Sequence, residues 1–187
     1  MASSLPRPDR SIVLVGLMGV GKSTIGKRLA RRLGLGFIDS DDEIERVADH
    51  SITEIFDRFG EPSFRDGERR VIARLVDGAP KVIATGGGAF IDPETRAMIL
   101  ERCIAIWLDA DIDTLADRVS RRDHRPLLRD KDPKTVLRAL AEARNPIYAE
   151  AHLHVRSQAS PHDRAVDQIL TALAQRAQGP GPALPLR

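Results

Sequence analysis

The sequence holds a single cysteine, Cys103, which excludes an intrachain disulfide framework and any all-cysteine metal site. Aromatic residues make up only 4%, too few to suggest a stacking platform for single-stranded nucleic acid. Charge of either sign is nearly balanced, 29 basic against 27 acidic residues for a net +2, so there is no basic footprint of a nucleic-acid binder. No apolar run approaches the roughly 18 residues that a membrane-spanning helix needs. The opening Met1-Ala2-Ser3-Ser4-Leu5-Pro6-Arg7-Pro8 has no apolar core of a secretory signal, and the expectation is a cytoplasmic protein without membrane or nucleic-acid partners. Lysine is also scarce. Of the 29 basic residues only 5 are lysine and 24 are arginine, a balance suited to forked recognition of phosphate and carboxylate and equally to a GC-rich genome.

What is present is globular. A chain of 187 residues with 42% hydrophobic and 30% charged residues fits one ordinary domain, able to bury about 70% of its unfolded surface. Ser11-Ile12-Val13-Leu14-Val15-Gly16 is a continuous apolar run, as in a strand buried on both faces. Ile25, Leu29, Ala30 and Leu33 recur at helical spacing before a stop at Gly34. Phe37-Ile38, Val82-Ile83-Ala84, Cys103 to Leu108 and His152 to Val155 read as further strands. Between them lie helix signals: a capping box at Ser51 to Glu54, an amphipathic stretch over 61–77, Asp92-Pro93, a helix over 111–120, Asp132-Pro133 and Ser160-Pro161. The alternation predicts an α/β fold, a three-layer open sheet of five parallel strands flanked by helices. The expected organisation is a tail over 1–10, one domain over 11–177 and a tail over 178–187. In such sheets ligands sit beyond the carboxyl ends of the strands, here just after residues 16, 38, 85, 108 and 155.

Gly16-Leu17-Met18-Gly19-Val20-Gly21-Lys22-Ser23-Thr24 matches G-x-x-x-x-G-K-[ST] and lies where that motif must lie, after a buried strand and at a helix start. Glycines let backbone N–H groups form a nest for phosphate oxygens, and the helix N-terminus adds partial positive charge. Gly19 to Thr24 are thus the candidate nucleotide cradle, with Lys22 on the β- and γ-phosphates and Ser23 on Mg²⁺. No Asn-Lys-x-Asp guanine reader is present, which excludes the common GTPase pattern. The run Ile104 to Asp109 imitates a Walker B strand, but Asp109 reads better as a cap for the helix beginning near Asp111.

Asp39-Ser40-Asp41 after the second strand, Phe64-Arg65 beside Glu68, Gly86-Gly87-Gly88 after the third strand, and Arg125-Pro126-Leu127-Leu128 complete a constellation. With it the chain resembles the shikimate kinases, within the nucleoside monophosphate kinase-like P-loop proteins, from about Ile12 to Leu170. The resemblance implies a P-loop kinase fold with a mobile lid at about 120–132. It implies transfer of the γ-phosphate of ATP, with Mg²⁺, to the 3-hydroxyl of shikimate by a monomeric enzyme of aromatic amino-acid biosynthesis. It assigns Asp41 to the acceptor hydroxyls as base or orienter, and Asp39 to the magnesium shell through water. Arg65 and Arg144 would grip the substrate carboxylate, and the Gly87 N–H would meet the substrate. Arg125 would reach the transferring phosphates and Arg118 would lie against adenine.

Simpler readings stand beside these. Asp41 could cap the following helix, Arg65 could pair with Glu61 or Glu68, Arg144 could lie on a solvated helix face, and Gly87 could serve a tight turn. The acceptor could be another small polyol acid such as gluconate, or the chain could bind nucleotide without catalysis. The sequence departs from the family at Ser157-Gln158-Ala159-Ser160, where an adenine-side arginine is often found, and at Gly67, a glycine within a helix that costs about 1 kcal/mol relative to alanine. The five histidines show no metal-ligand spacing, and Cys103 reads as packing.

Overall fold

The computed structural model describes residues 8–120, 132–157 and 162–178. Arg125 and almost all of the expected lid, the Ser160-Pro161 helix start and most of both tails lie outside these residues. Among the described residues five strands are interspersed with seven helices: β1 (Ile12–Val15), α1 (Lys22–Leu33), β2 (Gly36–Asp39), α2 (Ser40–Ala48), α3 (Ile52–Val76), β3 (Lys81–Ala84), α4 (Pro93–Arg102), β4 (Ile104–Asp109), α5 (Ile112–Ser120), α6 (Pro133–Tyr148), β5 (Leu153–Arg156) and α7 (His162–Gln178). A single 3₁₀ turn, Ala89–Ile91, precedes α4.

The strands form one parallel sheet in the order β2-β3-β1-β4-β5. β1 is central, in register with Val82–Ala84 on one side and Ile104–Trp107 on the other. All four of its residues are fully buried, so helices cover both faces of the sheet, and the apolar run has no polar alternation to show. α1 lies so close to the sheet at Gly26 that an added Cβ would stand 2.5 Å from the Phe37 ring. Gly34 ends α1 in the left-handed conformation, and its N–H caps the carbonyls of Ala30 and Arg31.

The helix starts expected at Ser51, Asp92 and Asp132 are all present. Ser51 and Glu54 form a reciprocal capping box, and the two aspartates cap Thr95 and Thr135. The stretch from Ile52 to Val76 is broken at Gly60 (φ 77, ψ 170), which divides it into the two helices the sequence suggests, with Pro62 in the first turn of the second. The sequence does not announce the 3₁₀ turn, and α2 enters the reading only as the helix that Asp41 could cap, since its run of acidic residues hides its helical pattern. Asp109 differs from expectation. It ends β4, and its carboxylate faces His154 Nε2 at 3.5 Å rather than capping α5. Of the segment expected to be a tail, Arg10 donates to the carbonyl of Glu101 at 3.2 Å.

Candidate active site

β1, β3 and β2 all deliver their carboxyl ends to one edge of the sheet. From β1 the chain enters the phosphate loop. Gly16, Gly19 and Gly21 take positive φ of 137°, 82° and 96°, conformations that L side chains rarely adopt. At Gly16 a Cβ would also collide with the Leu108 carbonyl oxygen at 2.2 Å. Val20 turns its side chain into the core, leaving its backbone for the loop. Lys22 folds back over the loop, its ammonium donating to the carbonyls of Gly16 at 2.8 Å and Leu17 at 3.0 Å. Arg118, from α5, donates to the carbonyls of Gly19 and Val20 at 3.4 Å.

β2 ends in Asp39, which does two things. One carboxylate oxygen accepts from Ser23 Oγ at 2.5 Å, and the other accepts from the Asp41 N–H at 3.1 Å as the N-cap of α2. The capping role thus falls to Asp39. The Asp41 carboxylate is turned instead toward the loop after β3. Ser23 and Asp39 together present adjacent hard oxygen donors at the cleft floor, the donor type that Mg²⁺ takes alongside nucleotide phosphates.

β3 leads into Gly86-Gly87-Gly88, a bare backbone shelf against which four charged side chains rest. A Cβ at Gly86 would lie 2.8 Å from Asp41 Oδ1 and 3.2 Å from Glu68 Oε1. At Gly88 it would lie 2.5 Å from both terminal nitrogens of Arg65. Over Gly87 comes Arg144, whose Nη1 donates to the Gly87 carbonyl at 3.2 Å. Lys22, Ser23, Asp39, Asp41, Gly87 and Arg118 line a common cleft of about 360 Å³, with Gly19, Gly21 and Thr24 beside them. Arg65 and Arg144 do not line this cleft; they lie against the shelf beside it, at Gly88 and Gly87.

Sequence reasoning names Glu68 only as an ion-pair partner open to Arg65 and gives it no place in the site. It is only 2% exposed and sits in the buried stripe of the second half of α3, with Phe64, Val71, Ile72 and Leu75. Its Oε2 accepts from Arg65 Nη1 at 2.6 Å, and its Oε1 receives no hydrogen bond among the described residues. Burial raises its pKa; Arg65 opposes this and the neighbouring Asp41 adds to it. Burial works against the charge on Arg65, but Glu68 and Glu61 outweigh it and raise the pKa of the guanidinium. The expectation that Arg65 pairs with Glu61 or Glu68 therefore holds, and the pairing fixes the guanidinium on the shelf. One ionic residue inside an otherwise apolar helical stripe is the signal that could have found Glu68.

Two histidines set aside as incidental have definite places. His162 lines the cleft, its ring 3.1 Å from where a Gly21 Cβ would lie, and its pKa is lowered by burial and then by Arg118 and Arg28. His152 Nδ1 accepts from the Ala105 N–H at 3.0 Å, tying the start of β5 to β4. Cys103 is buried, its thiol pushed up by burial to about 11, as packing requires. Among the described residues no helix is long and apolar enough to cross a membrane.

A family model described as shikimate kinase matches residues 18–174. A shikimate kinase of Caulobacter vibrioides is 61% identical over 170 residues, covering 91% of this chain and 85% of that protein. The solved shikimate kinase from Acinetobacter baumannii in complex with shikimate is 35% identical, with a TM-score of 0.88 over 92% of this chain and 97% of that one. A gluconokinase from Sinorhizobium meliloti is 20% identical with a TM-score of 0.64, over 92% of this chain and 95% of that one, a likeness of fold alone.

Proposed function

The chain belongs to the shikimate kinase family, and we propose that its cleft transfers the γ-phosphoryl group of ATP to the 3-hydroxyl of shikimate, giving shikimate 3-phosphate and ADP. The observation that carries this reading is the glycine shelf. Its consecutive residues lie against two carboxylates, Asp41 and the Arg65-paired Glu68, and two guanidinium groups, Arg144 and Arg65. A small acid bearing hydroxyls fits that spacing. Its carboxylate is gripped by the two forks, and a hydroxyl is left at Asp41.

The donor side follows from the phosphate loop. Backbone N–H groups of Gly19 to Thr24 and the N-terminus of α1 receive the phosphates. Lys22 exchanges its loop carbonyls for the β- and γ-phosphate oxygens. Ser23 and Asp39 would hold Mg²⁺, Asp39 through water, and the ion when bound neutralises charge on the phosphates. Arg118 lies against the base. Arg125 belongs to the lid segment and completes the phosphate contacts.

In the transfer the acceptor oxygen forms its bond to the γ-phosphorus as the bond to the bridging oxygen of ADP breaks. The acceptor proton passes to Asp41 late in that movement. Positioning by Arg65, Arg144 and the Gly87 N–H supplies most of the rate, since phosphoryl transfer asks for little covalent help. The enzyme acts as a cytoplasmic monomer without nucleic-acid partners.

The test is a coupled assay of ADP formation with Mg-ATP, run without acceptor, with shikimate and with gluconate. ADP release that depends on shikimate is the expected result. Release that ignores shikimate and follows gluconate would move the acceptor to another polyol acid. ATP binding without any acceptor-dependent release would replace the kinase with a nucleotide-binding module.

A further inference from the structure

Tyr148 is the only tyrosine in the chain and is fully buried. It ends α6 four residues after Arg144, so the two side chains leave the helix on one face. They arrive at one atom. The Tyr148 hydroxyl and Arg144 Nη1 both donate to the carbonyl oxygen of Gly87. The ring is clamped by Phe90 at 6.5 Å and Trp107 at 6.1 Å between centroids, so the hydroxyl has little freedom to move elsewhere. Phenylalanine would fill the same apolar slot. The hydroxyl adds a polar atom that would be costly there without its partner. Burial drives its pKa up to about 12, with Arg144 and Arg65 pulling the other way, so it remains a neutral donor at any working pH.

We infer that Tyr148 is a positioning residue for the acceptor, its hydroxyl holding the Gly87 peptide so that Arg144 is free to turn to the substrate carboxylate. A carbonyl oxygen has two lone pairs, and here two donors occupy them. One of the donors, Arg144, has a second task. When its guanidinium engages an acid, its hold on Gly87 weakens at the moment when the shelf must present the Gly87 N–H in one orientation. Tyr148 lies beside Arg144 as well as Gly87, but its ring is buried in the core and cannot follow the arginine. It keeps the peptide plane fixed while Arg144 changes partner. This rests on the reading that shikimate binds over the shelf.

The hydroxyl alone is removed by Tyr148→Phe. Shikimate and ADP affinities are then measured by titration calorimetry, beside steady-state kinetics and thermal melting. Loss of one neutral hydrogen bond predicts a shikimate Kd raised about three- to tenfold. KM for shikimate should rise with it, the Kd for ADP should stay within about twofold, and melting should change little. An unchanged shikimate Kd, or equal losses for shikimate and ADP, would overturn the inference and leave the hydroxyl a structural bond only.

The single tyrosine also permits a measurement on the unmutated sequence, which decides the matter should the variant fail to fold. Uniform incorporation of 3-fluorotyrosine labels position 148 alone. Its ¹⁹F resonance should shift when shikimate is added and stay in place with ADP alone. A resonance that responds to neither, or equally to both, would refute the role. If the unsubstituted enzyme itself shows no shikimate-dependent ADP release, it is the acceptor assignment that fails, and the inference falls with it.

Discussion

Replacing Gly88 with alanine should separate activity from stability. Its backbone sits at φ −94, ψ −17, a right-handed conformation open to alanine. On the chain alone the change is mildly favourable, about 0.4–1 kcal/mol through the unfolded state. The added methyl, however, would stand 2.5 Å from both terminal nitrogens of Arg65, and ordinary contact begins at 3.4 Å, so the guanidinium has to retreat by about 0.9 Å. It cannot do so without disturbing its 2.6 Å bond to Glu68. A misplacement of this size at a positioning group costs about 100-fold in rate, or about 2.7 kcal/mol of transition-state stabilisation. In Gly88→Ala, kcat/KM for shikimate should fall about 100-fold with KM for ATP within about twofold of wild type. Melting should stay within about 3 °C, since 1 kcal/mol moves a chain of this size by only about 2–4 °C. Wild-type kcat/KM for shikimate in the folded variant would show that Arg65 does not rest on the shelf during turnover. Loss of folding would show that the shelf bears a structural load that its backbone angles do not reveal.

Other substitutions test other parts of the structure. Asp41→Asn keeps the shape of the cleft and should lower kcat at least about 100-fold, and near-normal turnover would remove Asp41 as a base. Two glycines within helices should respond with opposite sign when changed to alanine. Gly26→Ala forces a Cβ to 2.5 Å from Phe37 and should lower stability by about 1–3 kcal/mol by denaturant titration. Gly67→Ala meets nothing within 4 Å and should raise stability by about 1 kcal/mol. Burial first, then Arg176 and Arg10, hold the pKa of His152 below the ordinary 6.5. The unfolded chain therefore binds a proton that folded His152 resists, so stability is present above that range and lost as the pH falls through it. Melting temperature should drop from about pH 7.5 to about pH 5.5, and less so in His152→Asn, whose amide oxygen keeps the acceptor for Ala105 without titrating.

Where local chemistry decides, the sequence was enough. The apolar run of β1, the turn of the glycine–lysine loop and the caps at Ser51, Asp92 and Asp132 each act through neighbours in the chain, and each appears in the structure as expected. What escaped depends on distant partners. Glu68 looks like one more charge in Asp66-Gly67-Glu68-Arg69-Arg70 until the helix face is drawn, and only the fold sets it against Gly86. The choice between Asp39 and Asp41 as the helix cap is a matter of which residue turns first, which spacing leaves open. Asp109 was assigned to the following helix by proximity in sequence, but β5, which arrives 44 positions later, brings His154 to it. Of the three shelf glycines, Gly87 drew attention through family resemblance. Yet it is Gly86 and Gly88 whose missing side chains make room for Asp41 and Arg65.

The order of the strands has a consequence for how this enzyme can change. The phosphate loop leaves β1 and the acceptor shelf leaves β3, strands paired at Leu14 and Ala84. Thr85 then staples the two exits together, its N–H and hydroxyl both donating to the Leu14 carbonyl at 3.2 and 3.0 Å. The span between donor and acceptor is thereby set by the repeat of a β-sheet, about 4.8 Å from strand to strand, which no side-chain substitution alters. Mutation can remodel what lies on the shelf, and so which acid or hydroxyl is chosen. The reach of the phosphoryl group is a property of the backbone lattice and stays constant while specificity drifts.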